Sequence, residues 1–330
     1  MEKVLVTGGD GFIGSNFVKY LLQDSGFDNT IVINIDKQTY AGRGKNLQHM
    51  GLSDNKRYTF IRGDIGNYEL IEHIFNNFQP TYVINIAAES HVDRSIANSL
   101  DFILSNIVGP VTLLDAARRH PVKKFVQVST DEVYGSTETG YFTETDALNP
   151  SSPYSASKAS AEHMALSYFK THQVPVIITR GVNNYGPYQY PEKLLPLFIT
   201  NLIDAEQVPL MWSDDNPGLN VRDWLHVEDH CRAIWFLANK GKPGQVYNIP
   251  GNNERTNIEM TKTLLDIFRY GERMIKKVPH RNAHDYRYAI DGKKLEKIGF
   301  QYSHSDLKIG LEELVAWYVN NQDWWRPLKK

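Results

Sequence analysis

The sequence predicts an α/β fold: a doubly wound parallel sheet with a smaller C-terminal α/β region attached. Three observations carry that reading. Short β-branched runs alternate with helix-period stretches as far as Arg180. A glycine-rich turn joins the first run to the first helix, and polar residues gather where the later runs end. The composition is that of an ordinary globular protein, 41% hydrophobic and 22% charged over 330 residues. Such a length suits one large α/β unit with an elaborated C-terminal part, or two small domains.

Residues 3 to 7, KVLVT, form the first strand, and an amphipathic helix follows through GGDGFIGSNFVKYLLQ. Gly8, Gly11 and Gly14 stand at that junction in the spacing G-x-x-G-x-x-G. Glycines there permit a tight turn and let the backbone approach a pyrophosphate, whose charge the N–H groups of the helix start then face. A glycine turn alone only joins a strand to a helix. Here the flanking strand and helix make it a Rossmann-type signature, and the next strand, IVINID, ends in Asp36. An acid at that point accepts hydrogen bonds from both hydroxyls of an adenosine ribose and repels a 2′-phosphate. The expected cofactor is therefore NAD rather than NADP, with Lys37 next to Asp36 softening the repulsion.

The alternation continues with a strand at Tyr58–Ile61 leading to Gly63, Asp64 and Ile65, and a helix at Tyr68–Phe78. A strand at Tyr82–Ala88 runs into Glu89, Ser90, His91, Val92, Asp93 and Arg94, then a long helical stretch to Arg119. Strand FVQVST, a helix carrying Tyr154, and strand VPVIITR ending at Arg180 complete the series. Strands spaced by helices imply a parallel sheet covered on both faces, with ligands at the carboxyl ends of the strands. Residues 1–180 thus read as the nucleotide-binding domain. Residues 181–330 read as a mainly loop-bearing region that builds a pocket beside it, with the chain free to cross back to the sheet. Its last helix, about Asp306–Asn321, precedes Trp324 and Trp325, which read as packing anchors.

The stretch from Lys124 to Met164 carries the chemistry. Tyr154 and Lys158 are four residues apart on a helix and so share a face. A phenol with its ordinary pKa of about 10 is a poor base near neutrality, and a nearby ammonium favours the phenolate. Asp131 and Glu132, at the end of the preceding strand, offer a second acid/base pair or serve as strand-end capping groups.

Other classes are disfavoured. A formal net charge of −2 and a pI near 6.6 give no basic field for nucleic acid or anionic lipid. No basic-then-apolar leader opens the chain, and no unbroken apolar run approaches the roughly 20 residues of a membrane span. Cys231 is the only cysteine, so neither an internal disulfide nor a thiolate metal cluster is expected, and no metal site is assigned. The expected location is cytoplasmic.

The motifs TGGDGFIG, AAESHVDRS, VSTDEVYG, YSASK, NNYGPYQYPEKLLPLF, NVRDWLHVEDH, NNERTN, HDYRYAID and the closing WY-x-x-N-x-x-WW together resemble the extended short-chain dehydrogenase/reductase superfamily. Within it they are similar to nucleotide-sugar 4,6-dehydratases of the dTDP-glucose 4,6-dehydratase type. The resemblance covers nearly the whole chain. It is most specific at the TDE triplet followed by Y-x-x-x-K, because relatives that only epimerise carbon 4 generally lack the Asp-Glu pair.

The resemblance implies that Tyr154 takes the 4-hydroxyl proton of a nucleotide-linked hexose. It implies that Lys158 holds the nicotinamide ribose and keeps Tyr154 ionised. Thr130 would hydrogen-bond near the 4-oxygen. Glu132 would remove the hydrogen on carbon 5, and a protonated Asp131 would give its proton to the departing 6-hydroxyl. For the cofactor the resemblance points to Gly8, Gly11, Phe12, Ile13, Gly14, Asp36, Asp64, Ile65, Ala87 and Ala88, together with Tyr154 and Lys158. For the sugar nucleotide it points to Ser90, Asn183, Glu192, Lys193, Trp212, Arg222, Asn257 or its neighbours, and Arg287. The two arginines suit a diphosphate because a guanidinium grips two phosphate oxygens at once. A homodimer paired through the helices near Ser99–Arg119 and Tyr154–His172 is also implied.

The sequence departs from the family pattern at four substrate-facing places. Gly181 and Val182 follow Arg180 where Cys-Ser is usual. MWSDDNPG is a longer turn than the usual Tyr-Gly-Asp-Gly. Pro250 stands for a glycine, and VPHRNAHD replaces a pattern nearer V-x-D-R-P-G-H-D. None touches the cofactor or acid/base set. Two other readings therefore stay open beside a dTDP-hexose dehydratase. One is an enzyme acting on a UDP-N-acetylhexosamine or its 5,6-ene, with reduction or epimerisation at carbon 5. The other is a non-catalytic NAD-binding regulator, against which the intact Tyr154, Lys158, Asp131 and Glu132 argue.

Overall fold

The computed structural model describes residues 2–23, 29–42, 45–280 and 285–329. The first half contributes β1 (Glu2–Thr7), β2 (Thr30–Asp36), β3 (Tyr58–Arg62), β4 (Tyr82–Asn85), β5 (Lys124–Thr130) and β6 (Val176–Gly181). The second contributes β7 (Asn183–Tyr185), β8 (Val208–Met211), β9 (Val221–His226), β10 (Gln245–Ile249), β11 (Glu254–Thr256) and β12 (Ile275–Val278). Seven strands form one parallel sheet in the order β10-β6-β5-β4-β1-β2-β3. The chain winds from β1 outward to β3, then returns past β1 to β4 and on to β6. This is the doubly wound arrangement expected, and the reversal between β1 and β4 leaves a crevice at the carboxyl ends of the strands. β10 crosses back from the second half and pairs with β6, Gln245 opposite Ile177.

Period-two alternation sorts β1 between two cores. Val4 and Val6 pack with Phe17, Val18 and Leu21 on one face, while Leu5 packs with Ile71, Phe75 and Leu113 on the other. Across the carboxyl end of the sheet runs a buried polar ladder: Thr7 Oγ1 donates to Asn85 Oδ1 at 2.6 Å, and Asn85 Nδ2 to Gln127 Oε1 at 2.8 Å. The strand expected at Tyr82–Ala88 stops at Asn85, and the residues after it leave the ladder to form a loop. The smaller lobe packs helices Leu194–Ile203, Asn257–Phe268 and Leu307–Asn320 around Tyr318, Trp324 and Trp325. Trp324 Nε1 reaches into the first half and donates to Asn46 Oδ1 at 3.0 Å.

The helix Pro153–His172 starts where the sequence requires. Ser152 and Ser155 cap each other reciprocally, and Pro153, lacking an N–H, takes the first helical position. Tyr154 is thereby fixed in the first turn and Lys158 one turn on.

The stretch Leu100–Arg119 corrects one expectation. It is helical throughout, through a π-helical segment at Leu104–Val108, and its most apolar window has a mean hydropathy of 1.4. Among the described residues this one helix is long and apolar enough to cross a membrane by length and composition. Interspersed Ser105, Asn106, Thr112 and Asp115 break the apolar run in the sequence without lowering the mean very far. Phe102, Asn106, Leu113, Leu114 and Ala117 are buried inside the protein, whereas Leu100, Ile103, Leu104 and Val108 are exposed.

Candidate active site

The glycine turn is built so that no side chain fits. Gly8 has φ +71°, and a Cβ there would lie 2.7 Å from Ala87 Cα. A Cβ on Gly14 would lie 2.0 Å from the Gly8 carbonyl oxygen. Asp36 accepts the N–H of Asp10 at 2.9 Å and that of Gln38 at 2.6 Å. Burial, with Asp10 nearby, pushes its pKa up to about 6. Lys37 is engaged by Asp64, Nζ to Oδ2 at 2.7 Å. A cavity of about 470 Å³ opens over this turn. Gly8, Gly11, Phe12, Ile13, Gly14, Asp36, Asp64, Ile65, Ala87, Ala88, Tyr154 and Lys158 all line it, so the structure brings every expected cofactor position to one wall. The missing Cβ atoms, the helix start and the acid at the end of β2 fit a dinucleotide.

At its far end the cavity reaches Thr130, the last residue of β5. The Thr130 hydroxyl donates to Asp131 Oδ1 at 3.0 Å and accepts the N–H of Glu132 at 3.3 Å. It also lies beside the Tyr154 phenol, on which it acts to lower the pKa. Asp131 is 2% exposed, and its Oδ2 has no hydrogen-bond partner among the described residues. Burial, then the charge of Glu132, pushes the Asp131 pKa up to about 8, so this acid keeps its proton at neutrality.

The lysine differs from expectation. Lys158 Nζ donates to the Val128 carbonyl at 2.6 Å, and burial lowers its pKa to about 8. Burial and the carboxyl groups of Glu132 and Asp131 raise the Tyr154 phenol well above its ordinary range. Both side chains face β5: Lys158 donates to Val128, and Tyr154 lies beside Thr130, two residues further along the strand.

The expected substrate residues divide. Ser90, Glu192 and Lys193 line the cavity, and Lys193 Nζ donates to the Ser90 carbonyl at 3.3 Å. Asn184 lines it in place of Asn183, as alternation along β7 requires. Arg222 donates to the carbonyls of Val221 at 2.6 Å and Asp285 at 3.0 Å, lies 4.4 Å over the Tyr288 ring, and acts electrostatically on Asp131. Arg287 is committed elsewhere. Its Nε and Nη2 grip Glu254 at 2.8 and 2.9 Å, and Nη1 donates to the Gly140 carbonyl at 2.9 Å. Val221 pairs with Arg287 in a β-bridge, so Arg222, one residue on, projects to the opposite face. The two arginines therefore do not form one clamp. Trp212 follows β8 with Lys277 Nζ 3.8 Å above its ring, and Asn257 opens its helix with a buried Oδ1 that has no partner among the described residues. In VPHRNAHD, residues 281–284 lie outside the described residues.

Several site groups were not singled out from sequence. Asn106, in the π-helical segment, bonds both the N–H and the carbonyl of Glu89 and the Ser157 hydroxyl, at 2.8 to 2.9 Å. Only the change of helical pitch aims it there, and no residue pattern announces that. Arg180 forms a buried ion pair with Glu162 at 2.6 Å, eighteen residues distant in sequence and one strand away in space. Away from the cavity, His226, Glu228 and His304 each bring a ligand atom within 4.8 Å of the others. The two imidazoles stack at 4.0 Å with planes 21° apart, which sets their lone pairs side by side rather than toward one ion.

Comparison with known proteins agrees with this geometry. The family model described as GDP-mannose 4,6 dehydratase matches residues 5–315. The dTDP-glucose 4,6-dehydratase of Streptomyces antibioticus is 46% identical over 331 residues, covering 99% of this chain and 95% of that one. The crystal structure of DesIV, a dTDP-glucose 4,6-dehydratase from Streptomyces venezuelae with NAD and dTDP bound, superposes with a TM-score of 0.93 at 44% identity, covering 99% of this chain and 100% of that one. That of the dTDP-glucose 4,6-dehydratase from Bacillus anthracis in complex with NAD gives 0.89 at 46% identity, with both chains covered completely. The glycine cradle, the Thr130-Asp131-Glu132 turn and the Tyr154 helix thus sit in a chain that belongs, over almost its whole length, to the GDP-mannose 4,6 dehydratase family of extended short-chain dehydrogenases.

Proposed function

We propose that this chain is an NAD-dependent nucleotide-sugar 4,6-dehydratase that converts a dTDP-hexose of the glucose type into its 4-keto-6-deoxy form. The observation that carries the reading is Asp131: a buried carboxyl group with an unpartnered Oδ2, next to Glu132 and directly behind Thr130, which with Tyr154 lines the dinucleotide cavity, although neither acid lines it itself.

NAD, held by Gly8, Gly11, Gly14 and Asp36, would supply a reversible hydride acceptor for carbon 4 and carbon 6. Tyr154 takes the proton of the 4-hydroxyl, the positive charge of a bound nicotinamide ring offsetting the burial and carboxyl charges that otherwise keep its phenol protonated, with Thr130 beside it. The ketone at carbon 4 acidifies the hydrogen on carbon 5, which Glu132 removes. Asp131 gives its proton through the unpartnered Oδ2 to the 6-hydroxyl, which leaves as water. Glu132 then returns its proton to carbon 5, so the net change is loss of one water. The two carboxyl groups act oppositely because burial and mutual repulsion hold one of them protonated. Lys158, anchored on Val128, lies on the cavity wall where a nicotinamide ribose would rest. Arg222 and Asn257 are assigned to the sugar diphosphate, and Arg287 to holding Glu254.

We also infer a homodimer and a cytoplasmic location. The exposed stripe Leu100, Leu104 and Val108, with Ile103 beside it, is an apolar helix face of the kind a second copy covers. The location rests on the relatives, which are biosynthetic dehydratases. Incubation with NAD and a panel of dTDP- and UDP-linked hexoses tests the activity: loss of the mass of one water from dTDP-glucose supports it. Reaction confined to a UDP-aminosugar would transfer the same chemistry to that substrate.

A further inference from the structure

Three segments far apart in the chain meet over the dinucleotide cavity. Tyr40 follows β2 and Asp36, Arg94 lies in the loop-and-helix region after β4, and Glu192 precedes the helix Leu194–Ile203. The Tyr40 hydroxyl donates to Glu192 Oε1 at 2.7 Å. The Arg94 guanidinium stands 3.5 Å over the Tyr40 ring and 3.9 Å from Glu192 Oε2, and His91 Nε2 lies 3.8 Å from that same oxygen. Tyr190 meets the Tyr40 ring edge-on at 5.5 Å. Tyr40, Tyr190 and Glu192 all line the cavity, so these contacts join its two banks. Burial and the Glu192 carboxylate raise the Tyr40 phenol far above its ordinary range, so it remains a donor at any working pH.

We propose that Tyr40 and Arg94 are positioning residues that fasten Glu192 across the mouth of the cavity, a latch that ties the residence of the dinucleotide to the placement of a substrate-side carboxylate. The inference rests on the dehydratase reading, which puts NAD in the cavity and the sugar nucleotide beside Glu192. The segment carrying Tyr40 also closes on Asp36: a Cβ on Gly42 would lie 3.3 Å from Asp36 Oδ1. One short stretch therefore touches the ribose acid at one end and the substrate-side acid at the other. Tyr40, Arg94 and Glu192 make these contacts with one another and take nothing from either ligand, so the latch opposes entry as well as exit.

The test is NADH binding followed by fluorescence in stopped flow, with release measured by displacement with excess NAD. Tyr40→Phe removes the donor and keeps the ring under Arg94. It is expected to raise association and dissociation rates together, by about tenfold, the worth of one hydrogen bond to a charged acceptor, and to leave Kd nearly unchanged. With dTDP-glucose it is expected to raise KM more than it lowers kcat, because Glu192 loses its anchor. A tyrosine that merely supports the fold would speed release alone and weaken Kd in proportion, and that result overturns the latch. So do unchanged rates, while an unchanged KM overturns the coupling to substrate. Failure of the wild-type protein to bind NADH at all would instead sink the dehydratase reading.

Discussion

The hydroxyl of Thr130 lies 3.0 Å from Asp131 Oδ1, and through that one contact the end of β5 holds its acid. The same oxygen takes the N–H of Glu132 and lies beside the Tyr154 phenol, so a single side chain sets the three groups to which the proposed mechanism assigns its proton transfers. Thr130→Val keeps the β-branched shape and removes these bonds. Turnover is expected to fall by about ten- to a hundredfold, with NADH affinity within about twofold of wild type. Steady-state kinetics alongside a fluorescence titration measure both.

The elevated pKa of Asp131 sets a pH dependence of stability. The folded protein holds this proton up to about pH 8, whereas an ordinary aspartate near 3.8 has released it. Between those values the folded state binds more protons than the unfolded chain, so the contribution of Asp131 to stability falls as pH rises through the window. Asp131→Asn removes the titration. Its melting temperature is expected to exceed that of wild type by several degrees at pH 8, with the gap closing toward pH 4. A gap independent of pH, read by differential scanning fluorimetry, would contradict the assignment.

Much of this was legible in the residues. Gly8 and Gly14 announce a backbone approach that no Cβ allows, and β-branched alternation announces the sheet, because both are local properties of the chain. The meeting of Gly8, Gly14 and Asp36 on one cavity followed from them. What escaped was set by side chains choosing partners across space. Lys158 reaches the Val128 carbonyl, and Arg287 takes Glu254 from β11. Asn106 is aimed by a π-helical segment, which has no compositional signal. Spacing locates a group on an element and leaves open which of several nearby acceptors it takes.

Cofactor choice turns on Asp36. It is buried and accepts two backbone N–H groups, while Lys37 is occupied by Asp64 and does little to offset a 2′-phosphate. Asp36→Asn keeps both acceptor contacts through its amide oxygen only in part, and it removes the repelling charge. The ratio of NADPH to NADH affinity is expected to rise at least tenfold, mostly through weaker NADH binding. Competitive fluorescence titration reads the ratio, and an unchanged value would place the ribose elsewhere.

Arg287 and Glu254 form a bidentate pair that also ties the Gly140 turn, just beyond the acid pair, to the second lobe. If Arg287 acts through Glu254, then Arg287→Ala, Glu254→Ala and the double variant lower kcat by similar factors rather than multiplying. Inhibition by dTDP, which lacks the hexose, stays near wild type in all three. A large rise in the dTDP inhibition constant for Arg287→Ala alone would return this residue to the diphosphate.

The last expectation concerns the helix Leu100–Arg119. Its inner residues pack inside the protein, yet Leu100 is 58% exposed, Leu104 51%, Ile103 44% and Val108 41%. Positions 100, 104 and 108 recur at helical spacing, so they form one stripe and not scattered apolar points. Burying the exposed half of each such side chain would supply roughly 1 kcal/mol, and a twofold-related copy doubles the gain because the same stripe appears on both sides. Leu100 and Ile103 stand outside the cavity lining, whereas Leu104 touches it, so the first two are the ones to change. Leu100→Glu with Ile103→Glu places four carboxylates in the twofold contact. The double variant is expected to sediment as a 37.8 kDa monomer, and the wild type at twice that mass. Because the stripe belongs to the same helix as Asn106, dissociation is also expected to lower turnover several-fold through the Glu89 loop. A wild-type chain that sediments as a monomer at micromolar concentration would leave the stripe to some other partner.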